Sequence, residues 1–442
     1  MQTPNSTEAN GNVRQLLPRW LVWSYLALLV LTMSFWLRFL VKEPSVIAFA
    51  WNRDFSSVYV GARAVASGHS AQLYDFGLQR ALMDAAILPY HRRNMLPFIY
   101  PAYVAVLLAP LGKMSLSRAF LVWTGINLLA TAWTAKQLLG YGATSPRQRA
   151  ALLVAFLIWT PLQLTLVGGQ FGLVCTLGLA QMMLSLQAGK PSRAGCWLVL
   201  GLLKPHLLVF PLLALWLWRC WRTLASFLLS TALVFGISFA KLGFWIPAYL
   251  RFLANFSSMG RELSLWPTAM QNWRGLVAVL LGNDTSLAAH AWLTALSIAS
   301  LVLLVAVCRR SQSVLPGGPS LPRDWQARFA VAVLLGLLVS PYLYLHDWVF
   351  AAPALVVLFH FASDRHSRAA NGRDRWGAAL AWLIGLAPFV CFAAQFGIWP
   401  LSRIQLVPWY MGLLVGAALV LQKPEILASS AVLLPHSSQH NA

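Results

Sequence analysis

Charge is scarce in this sequence, and acidic side chains are the scarcest part of it. Charged residues make up 10% of the 442 residues, and 12 residues are Asp or Glu. Hydrophobic residues make up 59%, whereas an average soluble domain is about 45 to 50% apolar and about 25% charged. The composition excludes an ordinary soluble domain and predicts an all-α polytopic membrane protein whose core is built in lipid.

Cysteine is also rare, and its spacing suits neither a metal site nor a disulfide framework. The acidic residues form no cluster that resembles a set of Mg²⁺ or Mn²⁺ ligands. We therefore expect no metal and no other cofactor. The five cysteines lie in or at the ends of apolar segments, without CxxC spacing: Cys175, Cys196, Cys220, Cys308 and Cys391.

Basic residues are in excess, and the net charge is +21. In a soluble protein this excess would suggest a nucleic-acid partner. Here the basic residues mostly fall in the connections between apolar runs, where they are topology signals and contacts to anionic lipid. We expect membrane lipids, and no nucleic acid, as partners.

The apolar runs predict about 12 transmembrane helices in a single domain, residues 20–421. The first run, Trp20 to Leu40, is too long for a signal-peptide core and should anchor the chain with a cytoplasmic N-terminus. Residues 1–19 are expected to be disordered and cytoplasmic, and residues 422–442 to form a cytoplasmic tail. The other runs are 97–111, 115–138, 148–167, 169–187, 194–217, 223–242, 287–308, 326–343, 347–362, 376–398 and 404–421.

This threading places two long polar segments, 42–96 and 243–286, on the external side. The densest basic connections then lie in the cytoplasm, as the positive-inside rule requires. One connection disagrees, because Arg147 and Arg149 fall outside. The run 97–111 is short for a span, which needs about 17 to 25 residues, so we expect a tilted or partly re-entrant segment there.

Asp54 begins a predicted amphipathic helix in the first external segment, with Ser57 and Arg63 on its polar face. Such a helix would lie flat at the membrane surface. A carboxylate held there could take a proton from a substrate hydroxyl, although an N-cap would explain the acid equally well. The apolar side chains recur at helical spacing: Phe55, Val58, Ala62, Val65 and Ala66.

Lys204 lies in the middle of the apolar run 194–217. Placing a lysine at the centre of a bilayer costs roughly 2.5 to 3.5 kcal/mol on insertion scales, so such residues commonly serve a site. Pro205 removes a helical hydrogen bond and predicts a break or kink that opens a cavity. A phosphate would be the natural occupant, and the alternative is a lysine paired with a carboxylate or with backbone carbonyls.

His346 and Asp347 follow Ser340-Pro341 and head an apolar helix on the predicted external side. The histidine can donate to a phosphate oxygen. The aspartate can fix the histidine tautomer or cap the helix. A basic pair, Arg92-Arg93, also precedes the point where the first polar segment returns to the membrane.

Several short motifs follow one another in a characteristic order along the chain. They are Asp54-Phe55 with Tyr59 and Ala62, Ser67-Gly68, Leu73-Tyr74-Asp75, Ile99-Tyr100-Pro101 leading into Leu107 to Leu111, Gly169-Gln170, Ala194-Gly195, Gly201-Leu202, Lys204-Pro205, Trp218-Arg219, Ser340-Pro341 and His346-Asp347. This ordered set resembles glycosyltransferase family 87 of the GT-C superfamily, whose members use polyprenyl-phosphate sugars. Two positions depart from the family pattern: Ala102 follows Pro101 where a second proline is expected, and Phe171-Gly172 follows Gln170 where an asparagine is usual.

The resemblance implies a GT-C fold in the inner (plasma) membrane, with an active site that faces the periplasm or cell exterior. It implies inverting transfer of mannose or a similar sugar from a polyprenyl-phosphate donor to a membrane glycolipid or glycan acceptor. Asp54 takes the position of the catalytic base. We expect the donor phosphate to be bound by Lys204, His206, His346 and Arg92, and the substrates to be bound by Tyr59, Tyr100, Gln170 and Asp347.

Two other classes of function compete with a transferase. A flippase or transporter of lipid-linked sugars would use Lys204 and the acids as a substrate path, and an assembly subunit would have no catalysis. Because the leaving group of the implied reaction is a monophosphate, cationic side chains could stabilise it without a metal. The three classes differ in whether a new glycosidic bond is made.

Overall fold

A computed structural model describes residues 19–42, 45–46, 50–51, 53–91, 96–141, 146–256, 266–309, 324–368, 375–396 and 405–421. Within these ranges every regular element is helical and no strand occurs, so the all-α prediction is confirmed. Arg92, most of the N-terminal segment 1–19 and the tail 422–442 lie outside the described residues.

The described chain contains both long and short helices. The helices of the first half are α1 (Arg19–Lys42), α2 (Phe55–Ala66), α3 (Phe76–Ile87), α4 (Ala102–Gly112), α5 (Leu116–Leu139), α6 (Pro146–Ile158), α7 (Thr160–Gly168), α8 (Gly172–Gln187), α9 (Pro191–Leu198) and α10 (Val209–Leu217). Those of the second half are α11 (Trp221–Leu242), α12 (Ile246–Phe256), α13 (Trp273–Leu281), α14 (Leu287–Arg309), α15 (Trp325–Val339), α16 (Ala352–Arg368), α17 (Arg375–Gly385), α18 (Ala387–Phe396) and α19 (Leu406–Leu421).

Five segments of the described chain are long and apolar enough to cross a membrane, and two bent helix pairs would raise that number to seven. Four further apolar helices have 10–17 residues. The longest of these four, at about 1.5 Å per residue, measures about 24 Å, against roughly 30 Å of hydrocarbon. About 12 spans therefore stays a prediction. The five long segments are Trp20–Arg38, Trp221–Leu242, Leu287–Arg309, Leu345–His366 and Trp376–Phe396.

The run 97–111, which is short for a span, forms α4. This helix turns by 113° into α5 across a short break, the geometry of a broken span or a re-entrant loop. A similar break, with a bend of 47°, separates α6 from α7 inside the predicted run 148–167. The break between α6 and α7 is buried at Ile158, Trp159 and Thr160, whereas the break between α4 and α5 is exposed at Lys113, Met114 and Ser115.

The first external segment packs differently from the prediction. The expected flat surface helix at α2 is wrong, because nine of its 12 residues are buried in the protein. Small residues allow this: a Cβ on Gly61 would lie 2.2 Å from the Phe98 ring, and one on Gly112 would lie 2.3 Å from the Ala62 carbonyl oxygen. The following helix, α3, does have a single buried face, made by Gln79, Met83 and Ile87 at successive turns.

The run 194–217 is broken at Lys204, as Pro205 predicted. A 3₁₀ turn (Val199–Leu203) precedes Lys204, another (Pro205–Leu208) follows it, and α10 begins at Val209. Lys204 itself has φ −139° and ψ 72°, outside the helical region. A residue before proline avoids the α conformation, so the break is local in origin.

Candidate active site

Asp54 is held by a residue 116 positions away in the chain. It precedes α2, but its side chain makes no capping hydrogen bond, so the N-cap interpretation is wrong. Its Oδ2 instead accepts a hydrogen bond from Gln170 Nε2 at 2.6 Å. Asp54 and Gln170 were predicted separately, and the structure brings them together.

Gln170 is positioned by the tight turn between α7 and α8. Gly169 ends α7 with φ +64°, and a Cβ there would lie 2.7 Å from Phe55 Cβ. Trp123 Nε1 donates to the Gly169 carbonyl at 2.9 Å, and Asn127 Nδ2 donates to the Gln170 carbonyl at 3.2 Å. The turn is therefore fixed on one side by α2 and on the other by α5.

Lys204 forms a buried ion pair with Asp347. The two residues are 5% and 3% exposed, and the ammonium donates to Asp347 Oδ1. Asp347 Oδ2 accepts a hydrogen bond from the Tyr344 backbone N–H at 3.1 Å, so this aspartate also caps the 3₁₀ turn Leu345–Ala351. The pairing that the sequence left as an alternative for Lys204 is thus present, with a carboxylate 143 positions away.

Two histidines adjoin this ion pair. His346 Nε2 lies 3.5 Å from Asp347 Oδ1, and the His346 carbonyl accepts a hydrogen bond from Thr165 Oγ1 at 2.8 Å. The charges of Asp347 and Lys204 both act on the His206 ring, whose buried Nε2 has no hydrogen-bond partner among the described residues. We refer to Lys204, His206, His346 and Asp347 as the Lys204 cluster.

Asp54 and the Lys204 cluster share neighbours. The charges of Asp54 and Asp347 both act on the Tyr100 hydroxyl and on the Tyr344 hydroxyl. Burial raises the pKa of Tyr344, and the two carboxylates act in the same direction. Both acids therefore lie close enough to Tyr100 and Tyr344 for their charges to act on the same two hydroxyls.

The two long polar segments, predicted to be external, meet beside Tyr100. The Tyr74 hydroxyl donates to the Tyr100 carbonyl at 3.0 Å, and its ring packs on Tyr249 at 5.3 Å between centroids. The Tyr249 hydroxyl donates to the Ile99 carbonyl at 3.2 Å. The segments 42–96 and 243–286 are therefore in contact over the region that the two acids share.

One predicted site residue, Tyr59, does not join this arrangement, and another lies outside the described part of the chain. The Tyr59 hydroxyl donates to the Met114 carbonyl at 2.7 Å, on the side where α4 turns into α5, and its ring is buried. None of its described contacts is with Asp54 or the Lys204 cluster. Arg92, expected to bind phosphate, lies outside the described residues.

Sequence reasoning missed the residues that support the site. Asn127 is completely buried in α5, and Thr165 is completely buried in α7. Burying an amide in an apolar run costs free energy in lipid, so Asn127 could have been recognised from the sequence as a candidate site residue. Tyr344 carried none beyond its position two residues before His346.

The described residues include no group of three or more His, Cys, Asp or Glu side chains able to hold a metal ion. The acids that flank the site are each held by nitrogen donors instead, Asp54 by an amide and Asp347 by an ammonium and a backbone N–H. Metal independence stays a prediction.

The chain matches a known family and two curated relatives. The model of glycosyltransferase family 87 matches residues 98–341, more than half of the chain, and leaves Asp54, His346 and Asp347 outside the matched range. No solved structure matches the chain. The relatives are both named polyprenol-phosphate-mannose-dependent alpha-(1-2)-phosphatidylinositol pentamannoside mannosyltransferase.

The relative from Mycolicibacterium smegmatis is 27% identical over 92% of this chain and 90% of its own length. The relative from Mycobacterium tuberculosis is 26% identical over 72% of this chain and 69% of its own length. Both alignments extend well beyond a single motif. By the extent of the family match, the chain belongs to glycosyltransferase family 87.

Proposed function

We propose that the protein transfers mannose, or a similar sugar, from a polyprenyl-phosphate donor to a membrane glycolipid or glycan acceptor, with inversion. The family and the names of both relatives support the donor class. The relatives' names also point to a glycolipid acceptor of the phosphatidylinositol mannoside kind. We place the reaction at the periplasmic or exterior face of the inner membrane, where the predicted threading puts both polar segments.

The pairing of Asp54 with a neutral amide is the observation that carries this proposal. Gln170 holds Oδ2, and Oδ1 has no hydrogen bond within the described part of the chain. A carboxylate fixed at one oxygen and open at the other is suited to accept a proton. Such general-base assistance contributes typically about 10² to 10⁴ in rate.

In the proposed reaction the acceptor hydroxyl oxygen attacks the anomeric carbon, and its proton passes to Asp54. The bond between that carbon and the phosphate oxygen breaks, and the polyprenyl phosphate leaves with the electron pair. Attack from the face opposite the phosphate inverts the configuration. Charge therefore develops at two places, and the leaving phosphate needs fixed cationic or hydrogen-bonding groups.

The Lys204 cluster would bind that phosphate. An ammonium has three protons, and Asp347 uses one, which leaves two for phosphate oxygens. Asp347 would orient the lysine, while His346 and His206 would donate from their rings. Tyr100 and Gln170 would line the sugar side of the site, and Arg92 would add a further positive charge. In a site of low dielectric constant such donors contribute several kcal/mol to transition-state stabilisation.

The described residues line a small apolar cavity of about 70 Å³. It lies between α1, α6, α16 and α17, and its wall includes Tyr25, Phe156, Trp159, Ala352 and Val356. Its lining includes neither Asp54 nor Lys204, so it suits an acyl or isoprenoid chain and not the reacting sugar.

The test compares two aspartate-to-asparagine variants of the purified protein in detergent with polyprenyl-phosphate-mannose. Asp54→Asn keeps an oxygen for Gln170 but removes the base, so we expect at least about a 100-fold loss of transfer with polyprenyl phosphate still bound. Asp75→Asn is the matched control, because Asp75 only caps α3 through Leu78 N–H at 2.7 Å, and asparagine also caps.

Transfer by Asp54→Asn at the wild-type rate would overturn the base assignment. The flippase alternative has no support from the comparisons, and a second assay, on protein reconstituted into sealed vesicles, separates it from the transferase. A flippase would move lipid-linked sugar across the membrane of sealed vesicles without forming a glycosidic bond. No glycosylated acceptor would then be formed, either by the wild type or by Asp54→Asn.

A further inference from the structure

The loop 340–344 joins α15 to the 3₁₀ turn that contains His346 and Asp347. Two of its backbone carbonyls accept hydrogen bonds from another part of the chain. The Leu343 carbonyl accepts a hydrogen bond from Gln271 N–H at 2.8 Å. The Ser340 carbonyl accepts one from Asn272 Nδ2 at 2.5 Å. Both donors belong to the second external segment, just before α13.

Asn272 is the residue that joins the two elements. It is completely buried, and both ends of its amide are used. Its Oδ1 caps α13 by accepting from Gly275 N–H at 2.9 Å, while its Nδ2 reaches the Ser340 carbonyl. The turn is compact, since a Cβ on Gly275 would lie 1.8 Å from the Met270 carbonyl oxygen.

Further contacts fix the same junction. Trp348 Nε1, in the 3₁₀ turn itself, donates to the Gln271 carbonyl at 2.9 Å. The Arg274 guanidinium lies 5.0 Å over the Tyr342 ring and donates to the Pro341 carbonyl at 3.3 Å. Asp284 pairs with Arg274 at 2.7 Å, which holds the guanidinium in place.

We infer that residues 271–274 set the position of His346 and Asp347, and that Asn272 is the central positioning residue of the phosphate site. The inference rests on the proposed function, in which the Lys204 cluster binds the donor phosphate. Asp347 holds Lys204, so a displacement of the loop moves the histidine, the aspartate and the ammonium together. Asn272 thereby acts on phosphate binding through the backbone at Ser340.

The experiment measures binding of a short-chain polyprenyl phosphate to purified Asn272→Ser and Asn283→Ser variants. Serine caps a helix as well as asparagine does, but it is too short to reach the Ser340 carbonyl. We expect Asn272→Ser to bind the phosphate about tenfold more weakly, since one buried carbonyl loses its partner. The KM for the donor should rise while the KM for the acceptor stays unchanged.

Asn283→Ser is the matched control. Asn283 is exposed in the same segment, and its Oδ1 accepts from Ser286 N–H at 2.9 Å, the same contact that Asn272 makes with Gly275. None of its described hydrogen bonds reaches the loop 340–344, so its phosphate affinity should equal that of the wild type.

If Asn272→Ser does not fold, Arg274→Lys takes its place, with the exposed Arg251→Lys as control. Arg274→Lys keeps the charge beside Asp284 but loses the donor to Pro341 and the flat contact with Tyr342. Equal phosphate affinity in the tested variant and its control, or equal changes in donor and acceptor KM, would overturn the inference. Wild-type protein that binds polyprenyl phosphate but transfers no sugar would overturn the proposed function, and the affinities of the variants would still decide the positioning role.

Discussion

Asp54 and Asp347 both lie at the start of a helical element on the predicted external side, yet the protein holds them in different ways. Asp347 is paired with a buried ammonium at one oxygen and with a backbone N–H at the other. Asp54 receives a single described side-chain hydrogen bond, from a neutral amide. The charges of both acids act on the hydroxyls of Tyr100 and Tyr344. The two acids therefore lie near the same groups, although their hydrogen-bond partners differ.

The difference separates an anchoring carboxylate from one that can react. A carboxylate whose two oxygens are satisfied by a cation and a backbone donor is fixed in its charged form. A carboxylate that meets one amide keeps an oxygen for an incoming proton. Proximity to a site is therefore a weaker guide to a catalytic base than the identity of the partners.

The largest expected effect tests the ion pair between Lys204 and Asp347, the anchoring carboxylate. We expect Lys204→Met to abolish transfer and to lower the free energy of unfolding by about 3–5 kcal/mol, because removing one partner of a buried ion pair leaves the other charge uncompensated. In the double variant Lys204→Met/Asp347→Asn both charges are gone. Its thermal unfolding in detergent should return close to that of the wild type, while transfer stays lost.

A double variant that transfers sugar would contradict the role given to the Lys204–Asp347 pair in the site, since the pair would then serve only to stabilise the fold. An equally low unfolding temperature in the single and double variants would show that the lysine contributes through packing and not through its charge. Scanning calorimetry gives the unfolding temperature and a transfer assay gives the activity, both on the same preparations of the single and the double variant.

The second prediction concerns Asp54, the carboxylate that can react, and changes its hydrogen-bond partner Gln170. Gln170→Glu places a second carboxylate within hydrogen-bonding distance of Asp54, and two carboxylates that close hold one proton between them. The shared proton occupies the base, so general-base assistance, which contributes typically about 10² to 10⁴ in rate, should be largely lost near neutral pH. The rate of the variant should recover as pH rises.

The control for this variant is Gln72→Glu, at an exposed position of the first external segment. It adds the same charge at a position that makes no described hydrogen bond to Asp54, so any effect of net charge on substrate approach appears in both. A pH profile for Gln170→Glu parallel to that of the wild type would mean that Gln170 does not act through Asp54.

Local signals predicted much of this geometry, and distant packing decided the rest. The break at Lys204 was predictable because proline restricts the residue before it. The burial of α2 was not, since it depends on Gly61 and Gly112 meeting residues about 40 to 50 positions away. Lys204 and Asp347 were each recognisable as candidates, but nothing local specifies which carboxylate a buried lysine meets.

The smallest expected effect asks how far the reactive region extends along α2. Tyr59→Phe removes a hydroxyl that donates to the Met114 carbonyl, a loss of about 1 kcal/mol in stability. Because that hydroxyl is used away from Asp54, transfer and both KM values should stay at wild-type levels. A raised KM for either substrate would restore Tyr59 to the predicted substrate site.

Tyr74→Phe provides the matched comparison, because its hydroxyl also donates to a single backbone carbonyl, that of Tyr100, at 3.0 Å. The stability loss should be similar in the two variants. Tyr100 lies where the charges of Asp54 and Asp347 overlap, so only Tyr74→Phe should raise a KM, by the few-fold that a weak neutral hydrogen bond allows. Equal kinetics in the two variants would place the boundary of the reactive region closer to Asp54 than Tyr100.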